Sequence, residues 1–311
     1  MDLDKTDAIL FDHLLSNARI SVKELAKAIG KSKATVVKRI KHLEEGQYIL
    51  RYDGIINWQK LPFIKKVYFI KTSKEASLVA KLINNRSVFS IITLSGIYNL
   101  QVWCFFLDEL QQEAFESLLK EPYMEVTITK LTFPRVSFFD IPVNISESGR
   151  STRKDDLKLS SIDIKILKHM AQGHGRDSIL EISRTLKTPY DSTHYHLNAL
   201  LRNGYFTAII AQPGTNKWTL QTTCLIIKCR SKQSANALYT MLQKTQRIIS
   251  NAIGENILLV HFLSKTHIEY RETLSTIMAK QREDIEDLVI THWEKVMLNN
   301  RYPLEHLLHK K

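Results

Sequence analysis

The chain has 311 residues, room for about two ordinary domains, and 44% of them are hydrophobic, a normal share for a soluble globular protein. With only 10 Gly and 7 Pro, long disordered tracts are not expected, and no stretch approaches the ~18 apolar residues that span a bilayer. The charged start Met1-Asp2-Leu3-Asp4-Lys5 lacks an apolar signal core, so a cytoplasmic, nucleoid-associated protein without a membrane partner is expected. A formal net charge of +12 favours an anionic partner such as nucleic acid. Cys104, Cys224 and Cys229 read as buried thiols of a reducing compartment, and the last two, five apart in one strand, should face opposite sides.

In chain order, apolar residues at Leu3, Ile9, Leu10, Leu14 and Leu15 mark a first helix. Ser21 and Glu24 form a capping-box pair for a second helix ending at Gly30, and Ser32 caps a third that runs to about Glu45. Two short helices joined by a Gly-containing turn are a helix-turn-helix signature. On the third helix Val36, Ile40 and Leu43 share an inward face. Ala34, Lys38 and Lys41 lie opposite, flanked by Thr35 and His42, and no acid occurs between Lys31 and His42. Such a face suits a recognition helix in the DNA major groove, with a solvated amphipathic helix as the competing reading. The DNA-binding candidates of this head are Ser32, Lys33, Thr35, Lys38, Arg39, Lys41 and His42. Ile49–Tyr52, Asp53-Gly54 and Ile55–Trp58 read as a hairpin wing, from which Arg51 could touch phosphate.

From Lys66 the period changes. Strands at Val67–Ile70, Val88–Leu94, Leu100–Phe106 and Glu125–Phe133 alternate with a helix carrying Ala76, Val79, Ala80 and Ile83 and another from Asp108 to Leu119. This βαββαβ order is ferredoxin-like, and the sheet face not covered by helices must pair with something. The events then repeat. Leu159, Asp163, Ile166, Leu167 and Met170 restate the first helix, Ser178 and Glu181 the capping box, and Thr188-Pro189-Tyr190-Asp191 a helix start with Thr as cap. Thr193, Leu197 and Leu200 take the inward positions, while Tyr190, Ser192, His194, Tyr195 and Asn198 are the DNA-binding candidates of the second head. Asp191 would oppose a phosphate, so a structural or protein-binding copy is the competing reading. A second βαββαβ unit follows.

The fold class expected is therefore α+β: two winged helix-turn-helix domains, at 1–61 and 159–220, alternating with two ferredoxin-like βαββαβ domains, at 62–145 and 221–311. Residues 146–158 read as a polar linker, Phe133–Val143 as an extra strand or arm, and the end of the chain as a tail, helical from Leu304.

Leu3-Asp4-x-x-Asp7, Arg19-Ile20-Ser21, Glu24-Leu25-Ala26, Ser32-x-x-Thr35-Val36-x-x-Arg39-Ile40-x-x-Leu43-Glu44 and Tyr52-x-x-Ile55-Ile56-Asn57 together resemble the Lrp/AsnC (feast/famine) family of transcription regulators, in a tandem duplicated form. The resemblance is strong over Leu3–Leu61 and weaker through the ferredoxin-like part, which is similar to the family's effector-binding and oligomerisation module. It implies a small-molecule effector such as an amino acid near Gly96, Tyr98 and Asn99 and near Gly254 and Asn256, although Asn99 stands where the family usually has Asp.

Other chemistry is set aside. His194 and His196 are two apart on a helix and point about 200° apart, which does not clamp a metal. His306 and His309 read as tail residues, and no Cys-x-x-Cys, Gly-rich phosphate loop or Gly-x-Ser-x-Gly elbow occurs. No catalytic residue, metal or cofactor is expected. The reading is a sequence-specific DNA-binding transcription regulator, pseudo-dimeric within one chain, binding double-stranded DNA and forming a homodimer or higher homo-oligomer. The alternatives are a nucleoid-organising DNA-binding protein and, on the same scaffold, a tetrapyrrole decarboxylase using His261, His267 and Arg271.

Overall fold

Each half of the chain opens with three short helices whose ends are set by local chemistry. In the computed structural model, which describes residues 3–132, 158–214, 217, 221–242, 248–279, 282–299 and 304, α1 spans Lys5–Ser16, α2 Val22–Ile29 and α3 Lys33–Glu45. Asp4 caps α1 by accepting the Asp7 N–H, and Ser21 and Glu24 close the expected capping box. The α2–α3 turn passes through Gly30 in the left-handed region, φ 64°. Leu10, Phe11, Leu14, Leu25, Val36 and Leu43 are fully buried among these three helices. The second half repeats the pattern in α6 (Ser161–Ala171), α7 (Ile179–Leu186) and α8 (Tyr190–Arg202), with capping boxes at Ser160/Asp163 and Ser178/Glu181. One start differs from expectation. Pro189, not Thr188, occupies the cap of α8, and the Thr188 hydroxyl bonds Thr193 Oγ1 at 2.7 Å instead of a helix N–H.

The chain divides into two compact units, Met1–Lys60 with Arg135–Thr219 and Leu61–Pro134 with Leu220–Lys311. Both helical heads thus share the first unit, and what joins them overturns the hairpin expectation. Ile49–Ile56 is one continuous strand, β1, pairing antiparallel with β7 (Phe206–Pro213) of the other head. Asp53-Gly54 makes no turn: a Cβ on Gly54 would lie 2.7 Å from the Phe206 ring, so the glycine serves close approach between strands. Each head therefore contributes one strand of a shared two-stranded wing. Ala18 N–H donates to Ile209 O (2.6 Å), and Gly175 N–H donates to Tyr52 O (2.7 Å).

The second unit is a nine-stranded sheet in the order β5-β2-β4-β3-β11-β8-β10-β9-β6. Its first module comprises β2 (Ile64–Ile70), α4 (Glu75–Leu82), β3 (Val88–Ser95), β4 (Leu100–Phe106), α5 (Glu109–Glu116) and β5 (Tyr123–Thr127), followed by β6 (Lys130–Thr132). Its second comprises β8 (Gln221–Cys229), α9 (Lys232–Leu242), β9 (Ile248–Ile253), β10 (Ile257–Ser264), α10 (His267–Ala279) and β11 (Ile285–Asn299). Both show the ferredoxin-like order of last, first, third and second strand. The last strand of each module then crosses over. β11 pairs with β8 through His292 and onward with β3 of the first module, while the segment expected as one strand over Glu125–Phe133 divides into β5 on β2 and β6 on β9. Because β5 and β6 are consecutive, the pairing closes on itself, and closure protects strand edges from unwanted partners.

One face of each module carries its helices: Tyr68, Val102 and Phe106 pack under Leu78, Leu82 and Phe115, and Leu225, Val260 and Phe262 under Leu238, Leu242 and Ile277. Alternation turns Gln101, Trp103 and Cys224 to the opposite face, where they meet His261 or its neighbours. This pairing of the two uncovered faces is the association that the helix-free side demanded. Cys224 and Cys229 do lie on opposite faces, and Cys104, Cys224 and Cys229 are all buried free thiols. The residues expected as arm, linker and most of the tail, including Phe138, Phe139, Ile141, His306 and His309, lie outside the described residues.

The helical heads are fastened by charge as well as by apolar contact. Arg39 on α3 donates to Asp4 (2.6 Å) and to Asp7 (2.9 Å) on α1, and Asp7 is 6% exposed. In the second head His196 on α8 bonds Asp163 Oδ1 on α6 at 2.9 Å. Asp7→Ala removes one charge-assisted partner of Arg39, and we expect a loss of about 2 kcal/mol, read as a lower urea midpoint with unchanged slope.

Candidate nucleic-acid interface

The residues expected to read DNA are positioned by what lies beneath them. Val36, Ile40 and Leu43 sink into the first head's core, at 0%, 5% and 0% exposure. The other side of α3 is thereby held outward, where Ser32, Lys33, Lys38, Lys41 and His42 are exposed and Thr35 is half-buried. Ser32 Oγ accepts the Thr35 N–H at 3.2 Å and lies 2.9 Å from Thr35 Oγ1, so both hydroxyls are ordered at the helix start. The first turn of α3 holds no acid, leaving the positive end of the helix dipole unopposed. Lys41 lies 3.5 Å from Glu45, but both side chains are about two-thirds exposed or more, and such a pair exchanges readily for a stronger anion.

Two of the expected cations are engaged elsewhere. Arg39 has both Asp4 and Asp7 as partners, which hold its guanidinium above its ordinary pKa, so it fastens α3 to α1. Sequence reasoning counted Arg39 among the DNA-binding candidates because the acids that meet it sit a helix away. Arg51 on β1 lies 3.1 Å from the buried Asp53 carboxylate, so it neutralises a charge inside the wing. Lys33, Lys38, Lys41 and His42 remain as the basic group on one exposed face.

The second head presents a different chemistry. Tyr195 is 70% exposed, Tyr190 and His194 are exposed and stack with ring centroids 6.1 Å apart, and Ser192 and Asn198 are half-buried. The outward face of α8 carries Asp191 in its first turn and no lysine. Its α7–α8 turn is also less relaxed. Lys187 takes the left-handed conformation, φ 53°, where the first head has Gly30.

In the sheet unit, the turns proposed for an effector are tightly closed. Gly96 has φ 137°, and a Cβ there would meet Ile290 O at 3.2 Å. A Cβ on Gly254 would meet Thr127 O at 2.9 Å, so each glycine lets its turn approach the crossing strand of the other module. Asn99 Oδ1 accepts the Thr72 N–H (3.0 Å), and Asn256 Nδ2 donates to Cys229 O (3.0 Å). The Tyr98 ring lies 5.7 Å from Phe69, with its hydroxyl toward Met124 Sδ.

His261, His267 and Arg271 do not converge. His261 is 1% exposed between Ser250 Oγ (2.8 Å) and Gln101 Nε2 (3.0 Å), on the face away from the helices. His267 and Arg271 are exposed on α10, which packs on the other face through Ile277. Burial pushes the His261 pKa down to about 3, and the Cys224 thiol beneath it up to about 12.

These features define a protein with two helix-turn-helix heads on a shared wing and two ferredoxin-like modules in one closed sheet. Residues 3–44 match the model of the AsnC-type helix-turn-helix domain, and the first head is such a domain. The chain is 26% identical over 124 residues to an uncharacterised HTH-type transcriptional regulator of Pyrococcus furiosus, across 38% of this chain and 84% of that protein. It is 38% identical over 66 residues to the proline dehydrogenase transcriptional activator of Rhodobacter capsulatus, across 21% of this chain and 43% of that protein. Its backbone also superposes on the crystal structure of the siroheme decarboxylase NirDL with a TM-score of 0.61, at 11% identity and 98% coverage of both chains. That likeness is one of fold. No helix among the described residues is long and apolar enough to cross a membrane.

Two consequences are measurable. A glycine relieves the left-handed backbone of Lys187, so Lys187→Gly should raise unfolding stability by about 1 kcal/mol in urea titrations. A neutral buried His261 takes up no proton in the folded state until well below the ~6.5 of the unfolded chain. Its contribution to stability is thus present above about pH 6.5 and falls as the pH drops from there towards about 3, by up to about 1.4 kcal/mol per pH unit. His261→Gln should flatten that part of the stability profile relative to the parent chain.

Proposed function

We propose that this chain is a sequence-specific, double-stranded-DNA-binding transcription regulator and not an enzyme. The observation that carries the reading is the acid-free stretch from Lys31 to His42, with Lys33, Lys38, Lys41 and His42 displayed over a helix whose opposite side is buried. The AsnC-type match over 3–44 and the two regulators named above support it. Lys33, Lys38 and Lys41 would neutralise phosphates while Ser32, Thr35 and His42 reach base edges. In the second head Tyr190, Ser192, His194, Tyr195 and Asn198 would make a less electrostatic contact, with Asn198 suited to adenine. Two heads on one wing then act as a pseudo-dimer, and their unlike faces call for an asymmetric operator with half-sites roughly 34–36 Å apart. A homodimer or higher oligomer would multiply the heads. An effector such as an amino acid at the turns of Gly96, Tyr98 and Asn99 and of Gly254 and Asn256 would shift the populations of such assemblies.

Binding of genomic fragments selected for affinity tests this. The parent chain should bind them with a steep salt dependence, and Lys38→Ala/Lys41→Ala should lower the log–log slope by about 0.9 per lost phosphate contact. An unchanged slope removes this face from the interface. Equal competition by bulk genomic DNA would instead favour a nucleoid-organising protein.

A further inference from the structure

At the C-terminal end of α6 and in the turn that leads into α7, three side chains converge that the DNA-binding reading leaves unused. His169 Nε2 and His174 Nδ1 lie 3.0 Å and 3.1 Å from the same oxygen, Asp177 Oδ2. The two imidazoles stack with centroids 4.3 Å apart and planes 14° apart, so the half-exposed His174 ring must turn out of the stack before both rings can aim a nitrogen at one ion. All three potential ligand atoms fall within 4.8 Å of one another. We propose that His169, His174 and Asp177 form a site for a divalent first-row transition metal such as Zn2+.

The two separations to Asp177 are close to what such an ion requires. Four-coordinate Zn2+ with bonds of about 2.0–2.1 Å sets its ligand atoms about 3.3 Å apart, a few tenths of an ångström from the two separations to Asp177 Oδ2. Two imidazoles and a carboxylate are borderline donors that select zinc and its neighbours over magnesium or calcium. His169 is 6% exposed while the His174 side chain is 51% exposed, so the trio has a buried wall and an open side, where water would complete the coordination.

The turn is held by contacts that have no need of an ion. Gly175 N–H donates to Tyr52 O on β1, and Arg19 donates to Gly175 O (3.0 Å) and Asp177 O (3.3 Å). These fix the backbone that carries His174 and Asp177, leaving the side chains to meet the metal without ordering a loop. The arrangement belongs to one head only. Counting back from the capping residues Ser21 and Ser178, the first head has Asn17 and Ile20 where the second has His174 and Asp177, although His13 matches His169 counted from Asp7 and Asp163. The trio is therefore not part of the ordinary helix-turn-helix scaffold. A bound ion would cross-link α6 to the α7 turn beside the strand shared with the first head, and so tighten the seam between heads.

Zn2+ titration of the full chain, stripped with chelator and followed calorimetrically, tests this. One Zn2+ per chain is expected, with a rise in the thermal midpoint and, with Co2+ as substitute, a visible absorption band. The exposed substitution His174→Ala and the isosteric Asp177→Asn should each weaken Zn2+ binding by at least about tenfold and abolish the band, with the circular dichroism of the parent retained. Absence of stoichiometric Zn2+ binding by the parent chain overturns the site. So does binding that both variants retain at parental affinity, which would mean that the ion sits on other residues and that the trio is a hydrogen-bonded turn. Neither result depends on whether the chain binds DNA.

Discussion

Antiparallel pairing between strands from different halves of the chain is the constraint on which the rest depends. A single strand such as β1 cannot satisfy its own backbone groups, and without a hairpin its donors and acceptors must go to β7. The same solution recurs in the sheet unit, where β11 leaves its own module to reach β3, and β6 reaches β9. The module edges β3 and β9 are thereby each used to hold a strand of the other half. The close approaches at Gly54, Gly96 and Gly254 are the local cost of that exchange, since each sits where a Cβ would strike the other half.

Around this shared frame the two heads differ in chemistry. Arg39 with two carboxylates fastens the first recognition helix, and His196 with one carboxylate fastens the second. The first turns left-handed through a glycine and the second through Lys187. Lysines cover the outside of one helix, tyrosines and histidines the other. The inward faces, Val36/Ile40/Leu43 and Thr193/Leu197/Leu200, remain buried in both, so packing is kept while the outside varies.

What the sequence displayed well was local. The Ser21–Glu24 capping box, the stop at Gly30, the inward stripe of α3 and the strand–helix order of both modules depend on neighbours within a few residues, and all are found. What it hid was long-range. Asp53-Gly54 carries a strong local turn signal, yet Phe206, more than 150 residues away, decides that the chain runs straight there. Arg39 reads as a free cation until Asp4 and Asp7 are brought against it. His169, His174 and Asp177 lie within nine residues, but at i, i+5 and i+8 across a helix end no helical or strand period aligns them.

Joining both halves covalently also changes what mutation can do. In an assembly of two identical subunits every substitution appears twice, so a side chain that improves one copy is imposed on the other. Here a change in α8 leaves α3 untouched, and the strands that knit the halves stay together at a high local concentration that dilution does not lower. Tethering lets the outer faces of the two heads differ while sparing the two halves the risk of coming apart.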